Sequence, residues 1–291
     1  MNAIFEAGSL TALRSSYPEQ IELLRHDLCG HPLLTLEALV ALAQRIPAAD
    51  VEYYRGDVPI GIDGADTPSN GLSIADTIRR IEQCGSWMVL KYIEHDPEYR
   101  ALLHAALAPL RELVGDATGE MVNEQGFIFI SSPGAVTPYH FDPEHNILMQ
   151  IRGEKVMTIY PPADPRFAST ETHEAFHAGG HRNLPWREEL AGAGRPVRLT
   201  PGDAVYVPVK APHWVKNGDA PSISLSITWR SEWSYREEYA HGFNRLLRKA
   251  GLTPSPPRRF PEANLAKALG FRAARKLTHL ASKVVPGRSA D

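Results

Sequence analysis

The sequence predicts a mainly β core of sandwich or jelly-roll type, flanked by N-terminal and C-terminal α-helices. Three observations predict it. Between about residues 124 and 233, short apolar runs recur at regular spacing between Gly/Pro turns, as in packed antiparallel sheets and unlike a parallel one. On both sides of that stretch the apolar residues shift to the helical period. The chain has 291 residues, 43% of them hydrophobic, enough to bury a sizeable core, and its 22 Gly and 24 Pro exclude collagen-like and disordered classes.

The elements follow in order. Residues 1–123 read as a mixed, largely helical region that packs on the core. Thr35 is placed as an N-cap for Leu36 to Arg45, whose Leu36, Leu39, Val40 and Ala43 share a face, with Pro47 just beyond. Ser73 caps a second helix with Asp76 three residues on, Pro97 to Val114 is a third, and Gly56 to Gly71 mark a long loop. The β region, 124–233, opens with Gly126-Phe-Ile-Phe-Ile-Ser. Asn146 to Ile151 and Glu154 to Tyr160 read as a hairpin about Arg152-Gly153, which would pair Gln150 with Lys155 and Asn146 with Ile159. Val197 to Leu199, a Pro201-Gly202-Asp203 turn, Ala204 to Val209 and Ser222 to Trp229 complete it. Residues 234–291 return to helix, Tyr235 to Lys249 and then Glu262 to Ser282 after a Pro254/Pro256/Pro257 break.

Composition excludes several functions. Cys29 and Cys84 are far apart, so neither a disulfide framework nor a cysteine zinc cluster is available. No signal-peptide pattern opens the chain and no apolar run reaches membrane-spanning length, which points to a cytoplasmic, soluble protein. The formal charge of −3 hides an asymmetry: Arg245 to Arg288 holds eleven basic residues and one acidic residue, a charge of +10 that leaves −13 on the rest. Such a tail suits nucleic acid, an acidic partner or its own acidic body. No helix-turn-helix spacing supports nucleic acid, and apolar stripes (Phe243, Leu246, Leu247; Leu265, Leu269, Leu277, Leu280) point to packing or self-association instead.

The chemistry centres on His140-Phe-Asp142 and, 71 residues after the aspartate, His213. Residues i and i+2 of a strand face one side, so His140 and Asp142 can ligate one ion, with His213 added from a distant strand. Two histidines and a carboxylate on one face leave open positions, as in non-haem Fe(II) oxygenases.

Thr137-Pro-Tyr-His140-Phe-Asp142-Pro-Glu-His-Asn146, Gln150-Ile-Arg-Gly-Glu-Lys155, Tyr160-Pro-Pro, Leu199 to Pro208, His213-Trp and Ser222-Ile-Ser-Leu-Ser together resemble the JmjC/cupin-like hydroxylases. The branch with the asparaginyl hydroxylase of hypoxia-inducible factor is especially similar. The resemblance covers roughly residues 124–232 and implies a double-stranded β-helix that binds Fe(II) and the cosubstrate 2-oxoglutarate. It implies His140, Asp142 and His213 as iron ligands, Lys155 on the distal carboxylate of 2-oxoglutarate, Thr137 as the hydroxyl beside it and Asn146 near the cosubstrate. Ser226 stands where the asparaginyl hydroxylase has an Asn near the metal, a departure that weakens transfer of substrate identity. The family's habit of pairing through C-terminal helices points to self-association, as a homodimer, or to a docking role for those helices, more than to nucleic acid.

The residues agree with that resemblance. A lysine on the inner face of a barrel needs an anion, and a dicarboxylate supplies one. Ser222, Ser224, Ser226 and Thr228 alternate with Ile223, Leu225, Ile227 and Trp229, one face for a wet cavity and one for packing on helices. Arg230 reads as a surface charge before an anion-binding group, and His145 as a loop histidine before one that approaches the site.

His173-Glu174-Ala-Phe-His177 matches a zinc-protease pattern, with His181 behind it, but flanking prolines and Gly179-Gly180 leave little room for a buried helix, and Asn183 stands where a third ligand belongs. The segment is expected to be a loop near the barrel mouth. The function expected is therefore 2-oxoglutarate-dependent hydroxylation of a protein or peptide side chain, with release of succinate and CO2. A small-molecule hydroxylase and a non-catalytic cupin-like binding protein are the alternatives, and demethylation needs the same ligands.

Overall fold

The computed structural model describes residues 3–284, apart from residue 163. Among the described residues, eleven strands form two sheets: β1 (Glu22–Arg25), β2 (Val51–Arg55), β3 (Ser86–Lys91), β4 (Met121–Ser131), β5 (Val136–His140), β6 (His145–Arg152), β7 (Lys155–Ile159), β8 (Arg195–Leu199), β9 (Asp203–Val207), β10 (His213–Asn217) and β11 (Ser222–Ser231). The larger sheet runs β1-β9-β6-β11-β4-β3-β2 and the smaller β5-β10-β7-β8, with antiparallel pairing throughout. The helices are α1 (Ala7–Ser16), α2 (Leu36–Arg45), α3 (Ile74–Arg79), α4 (Pro97–Leu107), α5 (Arg111–Thr118), α6 (Thr170–Phe176), α7 (Glu232–Lys249) and α8 (Leu265–Val284).

The predicted caps form. Thr35 accepts from the Ala38 N–H and Ser73 from the Asp76 N–H, each worth about 1 kcal/mol to its helix. The helix expected over Pro97 to Val114 is interrupted by a short 3₁₀ turn at Ala108–Leu110, because Pro109 has no N–H to continue the ladder.

Alternation along the strands separates two cores. On β6, Ile147, Met149 and Ile151 turn to the helices, where they join Leu39, Leu42, Leu103, Leu107, Ile227 and Trp229. Leu148 turns inward and meets Met157, Ile159, Val197, Leu199, Val205 and Val215 between the sheets. β11 sits at the centre of the larger sheet with all ten residues buried. Its Ile223, Leu225, Ile227 and Trp229 pack on the helix side, as the alternation predicts.

Two expectations are corrected. Asn146 to Ile151 and Glu154 to Tyr160 do not make a hairpin: β6 pairs with β9 and β11, whereas β7 pairs with β8 and β10. Arg152-Gly153 instead carries the chain from one sheet to the other. Gly153 has φ +68°, and a Cβ there would collide with the Pro221 carbonyl, so the corner needs a glycine. The N-terminal region also does more than pack on the barrel. β1 extends one edge of the larger sheet and β3 with β2 the other. These strands are short and lie among helices, so no regular strand spacing announces them.

Candidate metal centre and cosubstrate pocket

β5 and β10 are neighbours, and their register sets His140 opposite His213. β5 ends at His140, so Asp142 lies just beyond the strand and not on it. The three side chains nevertheless converge: one ligand atom from each of His140, Asp142 and His213 falls within 4.8 Å of the others. The Nε2 atoms of His140 and His213 lie 3.8 and 3.7 Å from the same carboxylate oxygen, Asp142 Oδ2.

Each imidazole is oriented from behind. His140 Nδ1 donates to the Pro138 carbonyl at 2.7 Å and His213 Nδ1 to the Ala211 carbonyl at 3.0 Å. That assignment leaves both Nε2 lone pairs facing the site. Burial, and then the neighbouring His213, push His140 down to about 3; burial likewise lowers His213. Burial pushes the Asp142 carboxyl up, but His140, Arg182 and His213 outweigh it and hold the group below the usual carboxylate range. Neutral imidazoles and an ionised carboxylate are the forms that bind a metal. Arg182 Nη1 donates to Asp142 Oδ1 at 2.7 Å, which ties up that oxygen and leaves Oδ2 for an ion. Two nitrogens and one oxygen suit a divalent first-row metal with open positions, so the residues fit Fe(II).

A cavity of about 350 Å³ opens on this centre and is lined in part by Thr137, His140, Asp142, Asn146 and Ser226, five of the residues singled out in the sequence. Trp87 Nε1 donates to Thr137 Oγ1 at 2.8 Å, and Ser226 Oγ donates to Asn146 Oδ1 at 2.8 Å. Further along, Ser224 Oγ donates to Gln150 Oε1, and Gln150 Nε2 donates to Ser222 Oγ. The polar face of β11 thus meets the polar positions of β6.

Lys155 begins β7 on its inner face: Val156 is exposed, while Lys155, Met157 and Ile159 are buried. Its side chain has no hydrogen bond or ion pair among the described residues, and burial alone pulls its ammonium down to about 7. Opposite it, Asn217 also keeps a buried Oδ1 without a donor. Ile159, opposite His213, is four residues along β7, roughly 13 Å away. A lysine side chain and a five-carbon dicarboxylate are together long enough to span that distance. The donor set and the orphaned ammonium fit 2-oxoglutarate.

The family model described as a cupin-like domain matches residues 79–235, more than half of the chain. The chain belongs to the cupin-like domain family. Among curated relatives, the Jumonji C domain-containing protein 5 of Drosophila melanogaster is 30% identical over 109 residues, covering 35% of this chain and 26% of that protein. The Arabidopsis thaliana protein named lysine-specific demethylase JMJ30 is 32% identical over 107 residues, 34% of this chain and 24% of its own length. The matches thus span about a quarter of these relatives. Among solved structures, Escherichia coli ycfD superposes with a TM-score of 0.51 at 15% identity, over 95% of this chain and 69% of that one, a likeness of fold. The cupin-like family match agrees with the two-sheet jelly roll and with the JmjC resemblance of the motifs.

Three expectations about polar residues change. His145 is not in a loop: it opens β6, fully buried, with Nδ1 2.9 Å from the Tyr206 hydroxyl and Nε2 3.0 Å from Ser231 Oγ, and it stacks on Trp229 away from the cavity. Arg230 is buried, paired with Glu238 at 2.7 Å and laid over the Tyr235 ring. The histidine-rich insertion contains a helix after all, α6, capped by Ser169. It is no zinc-protease site: the Glu174 carboxylate is held by Arg248, and among the described residues only His140, Asp142 and His213 form a group able to hold a metal. The end of α6 and the segment after it do reach the mouth, where Phe176, His181, Arg182 and Asn183 line the cavity. Arg182, Trp87 and Asn217 escaped the sequence reading. Arg182 sits in a segment with no strand pattern, and only its place in the insertion hinted at it.

Proposed function

We propose that this chain is an Fe(II)- and 2-oxoglutarate-dependent oxygenase that hydroxylates a protein or peptide side chain. The observation that carries the reading is Lys155, a buried ammonium with no partner on the same inner surface as an open two-histidine, one-carboxylate set. When bound, Fe(II) supplies the activation of O2, with 2-oxoglutarate leaving as succinate and CO2. His140, His213 and Asp142 would hold the ion, with Asp142 Oδ1 engaged by Arg182. Lys155 would take the distal carboxylate of the cosubstrate, and Thr137, Asn146 and Ser226, which line the cavity at the metal centre, would meet the rest of it. The intact ligand set argues against a binding protein that has lost its chemistry. The name of the Arabidopsis relative, a lysine-specific demethylase, supports a protein substrate. The test is succinate release with Fe(II), 2-oxoglutarate and candidate peptides, read with mass spectrometry. Succinate together with one added oxygen atom on a peptide is expected. Formaldehyde release would mark demethylation, oxidation of small molecules alone would move the substrate class, and no succinate with any substrate would contradict the reading.

We also propose that the C-terminal helices pair two copies of the chain. Leu265, Leu269 and Leu277 on α8 are more than half exposed, an apolar row beside basic residues; the Leu280 side chain and residues 285–291, with Arg288, lie outside the described residues. Light scattering should give a dimer that Leu269→Glu with Leu277→Glu converts to monomer, and a wild-type monomer would contradict it. No helix among the described residues is long and apolar enough to cross a membrane.

A further inference from the structure

Next to the metal centre lies a second polar cluster, enclosed by α6, α7 and the turn between β9 and β10. Lys210 Nζ donates to Glu237 Oε2 at 2.6 Å, and both side chains are almost wholly buried, 1% and 4% exposed. His241 Nε2 lies 3.1 Å from the other oxygen, Glu237 Oε1, and Arg259 approaches it at 3.9 Å. The His173 and His177 rings complete the enclosure, 5.3 and 5.9 Å from His241.

We infer that Lys210 and Glu237 are positioning residues for the metal centre, fixing the 208–212 turn and through it Asp142 and His213. The inference rests on the metal-binding reading above. Asp142 lies beyond the end of β5, so no strand ladder holds its backbone; its carbonyl accepts from the Lys210 N–H at 2.8 Å. The next residue, Ala211, supplies the carbonyl that orients the His213 ring. One short turn therefore touches two of the three metal ligands.

The conformation of that turn is not a default one. Lys210 has φ +61°, in the left-handed region that a residue with a long side chain rarely adopts, so surrounding contacts must hold it there. Its side chain provides the contact. A buried ion pair adds little stability over apolar packing of equal volume, but it adds direction, because the ammonium must meet its carboxylate. Glu237 is in turn held on α7 by His241. Burial keeps His173 and His177 uncharged, so neither adds a cation beside the ammonium, whose charged neighbours are Glu237, Arg259 and Arg230. The helix after the barrel thereby braces the face on which the ligands sit, and the histidines of the protease-like motif pack beside His241 and form no second metal group among the described residues.

The test is Mn²⁺ affinity of the full chain by electron paramagnetic resonance, with thermal melting in parallel, for wild type, Glu237→Gln, Lys210→Met and the double variant Lys210→Met/Glu237→Leu. Loss of such supporting contacts should weaken Mn²⁺ binding roughly tenfold to a hundredfold, seen as a stronger sharp six-line signal of free Mn²⁺ at the same total metal. The double variant, with no unpaired charge left, should melt near wild type and still bind weakly. A folded double variant or Glu237→Gln that binds Mn²⁺ as wild type does would overturn the inference and reduce the pair to a structural one. No Mn²⁺ binding by wild type would overturn the metal-centre reading itself, and this inference with it.

Discussion

Asp142→Ala should abolish metal binding, with affinity for Mn²⁺ or Fe(II) falling by about two orders of magnitude or more. The expectation comes from the sharing of one carboxylate. Asp142 Oδ2 faces both Nε2 atoms, and Oδ1 holds Arg182. Truncation removes the only anion of the set and leaves the Arg182 guanidinium beside two imidazoles, a surplus positive charge where a cation must bind. Asp142→Asn keeps the shape and loses the charge, so it should bind metal almost as poorly. Isothermal titration with Mn²⁺ checks both variants. Unchanged affinity in Asp142→Ala would mean that the metal binds elsewhere.

Lys155→Met should stabilise the free protein and weaken its cosubstrate binding. In the free chain the ammonium is buried without a partner, and burial pulls it from 10.5 to about 7. The unfolded chain holds that proton more tightly than the folded one, so between about pH 7 and 10.5 stability contributed by this site rises with pH. Below about pH 7 the folded protein carries the whole cost of the buried charge, on the order of a few kcal/mol. Methionine fills the same space without it, so Tm at neutral pH should rise and the pH slope should flatten. Affinity for 2-oxoglutarate should fall about 10- to 100-fold with the loss of a charge-assisted hydrogen bond. In wild type, that affinity should decline as pH rises above about 7, because the lysine must take up a proton to meet the carboxylate. Melting curves and titrations in buffers of different ionisation enthalpy check each statement. A lower Tm with unaltered 2-oxoglutarate affinity would assign Lys155 to ordinary packing.

What the sequence made legible were features whose cause is local or periodic. The period-two pattern of Ser222 to Trp229 reports a strand with one wet and one dry face, and its Ser226 meets Asn146 as that pattern requires. Thr35 and Ser73 cap helices because their hydroxyls reach N–H groups three residues away. The convergence of His140, Asp142 and His213 was readable because an His-x-Asp spacing and a distant strand histidine are tied by register, even though Asp142 lies past the strand end. Sheet partners were not local. Arg152-Gly153 looks like a hairpin turn, yet β6 and β7 enter different sheets, since each finds its partners among strands far along the chain. Lys155 still reaches the interior, but from the sheet opposite Asn146 and Gln150 and not from a neighbouring strand.

Buried polar residues were the hardest to read. His145, Arg230 and the Lys210–Glu237 pair look like surface residues in a one-dimensional pattern, because their partners come from elements that meet only in the folded chain. The His173/His177 spacing carries the opposite lesson. It copies a metal motif, and the rings do share one side of α6, but that side faces α7 and its glutamate is committed to Arg248.

On the proposed function, one inner surface binds a metal through His140, Asp142 and His213 and a dicarboxylate through Lys155. An anaerobic titration of the wild-type chain with Fe(II) and 2-oxoglutarate, followed by visible absorption, tests both halves at once. A charge-transfer band that requires both components, saturates at one equivalent each, disappears in Asp142→Ala and needs far more 2-oxoglutarate in Lys155→Met is the result predicted. No band with wild type, or a band that survives Asp142→Ala unchanged, would contradict it.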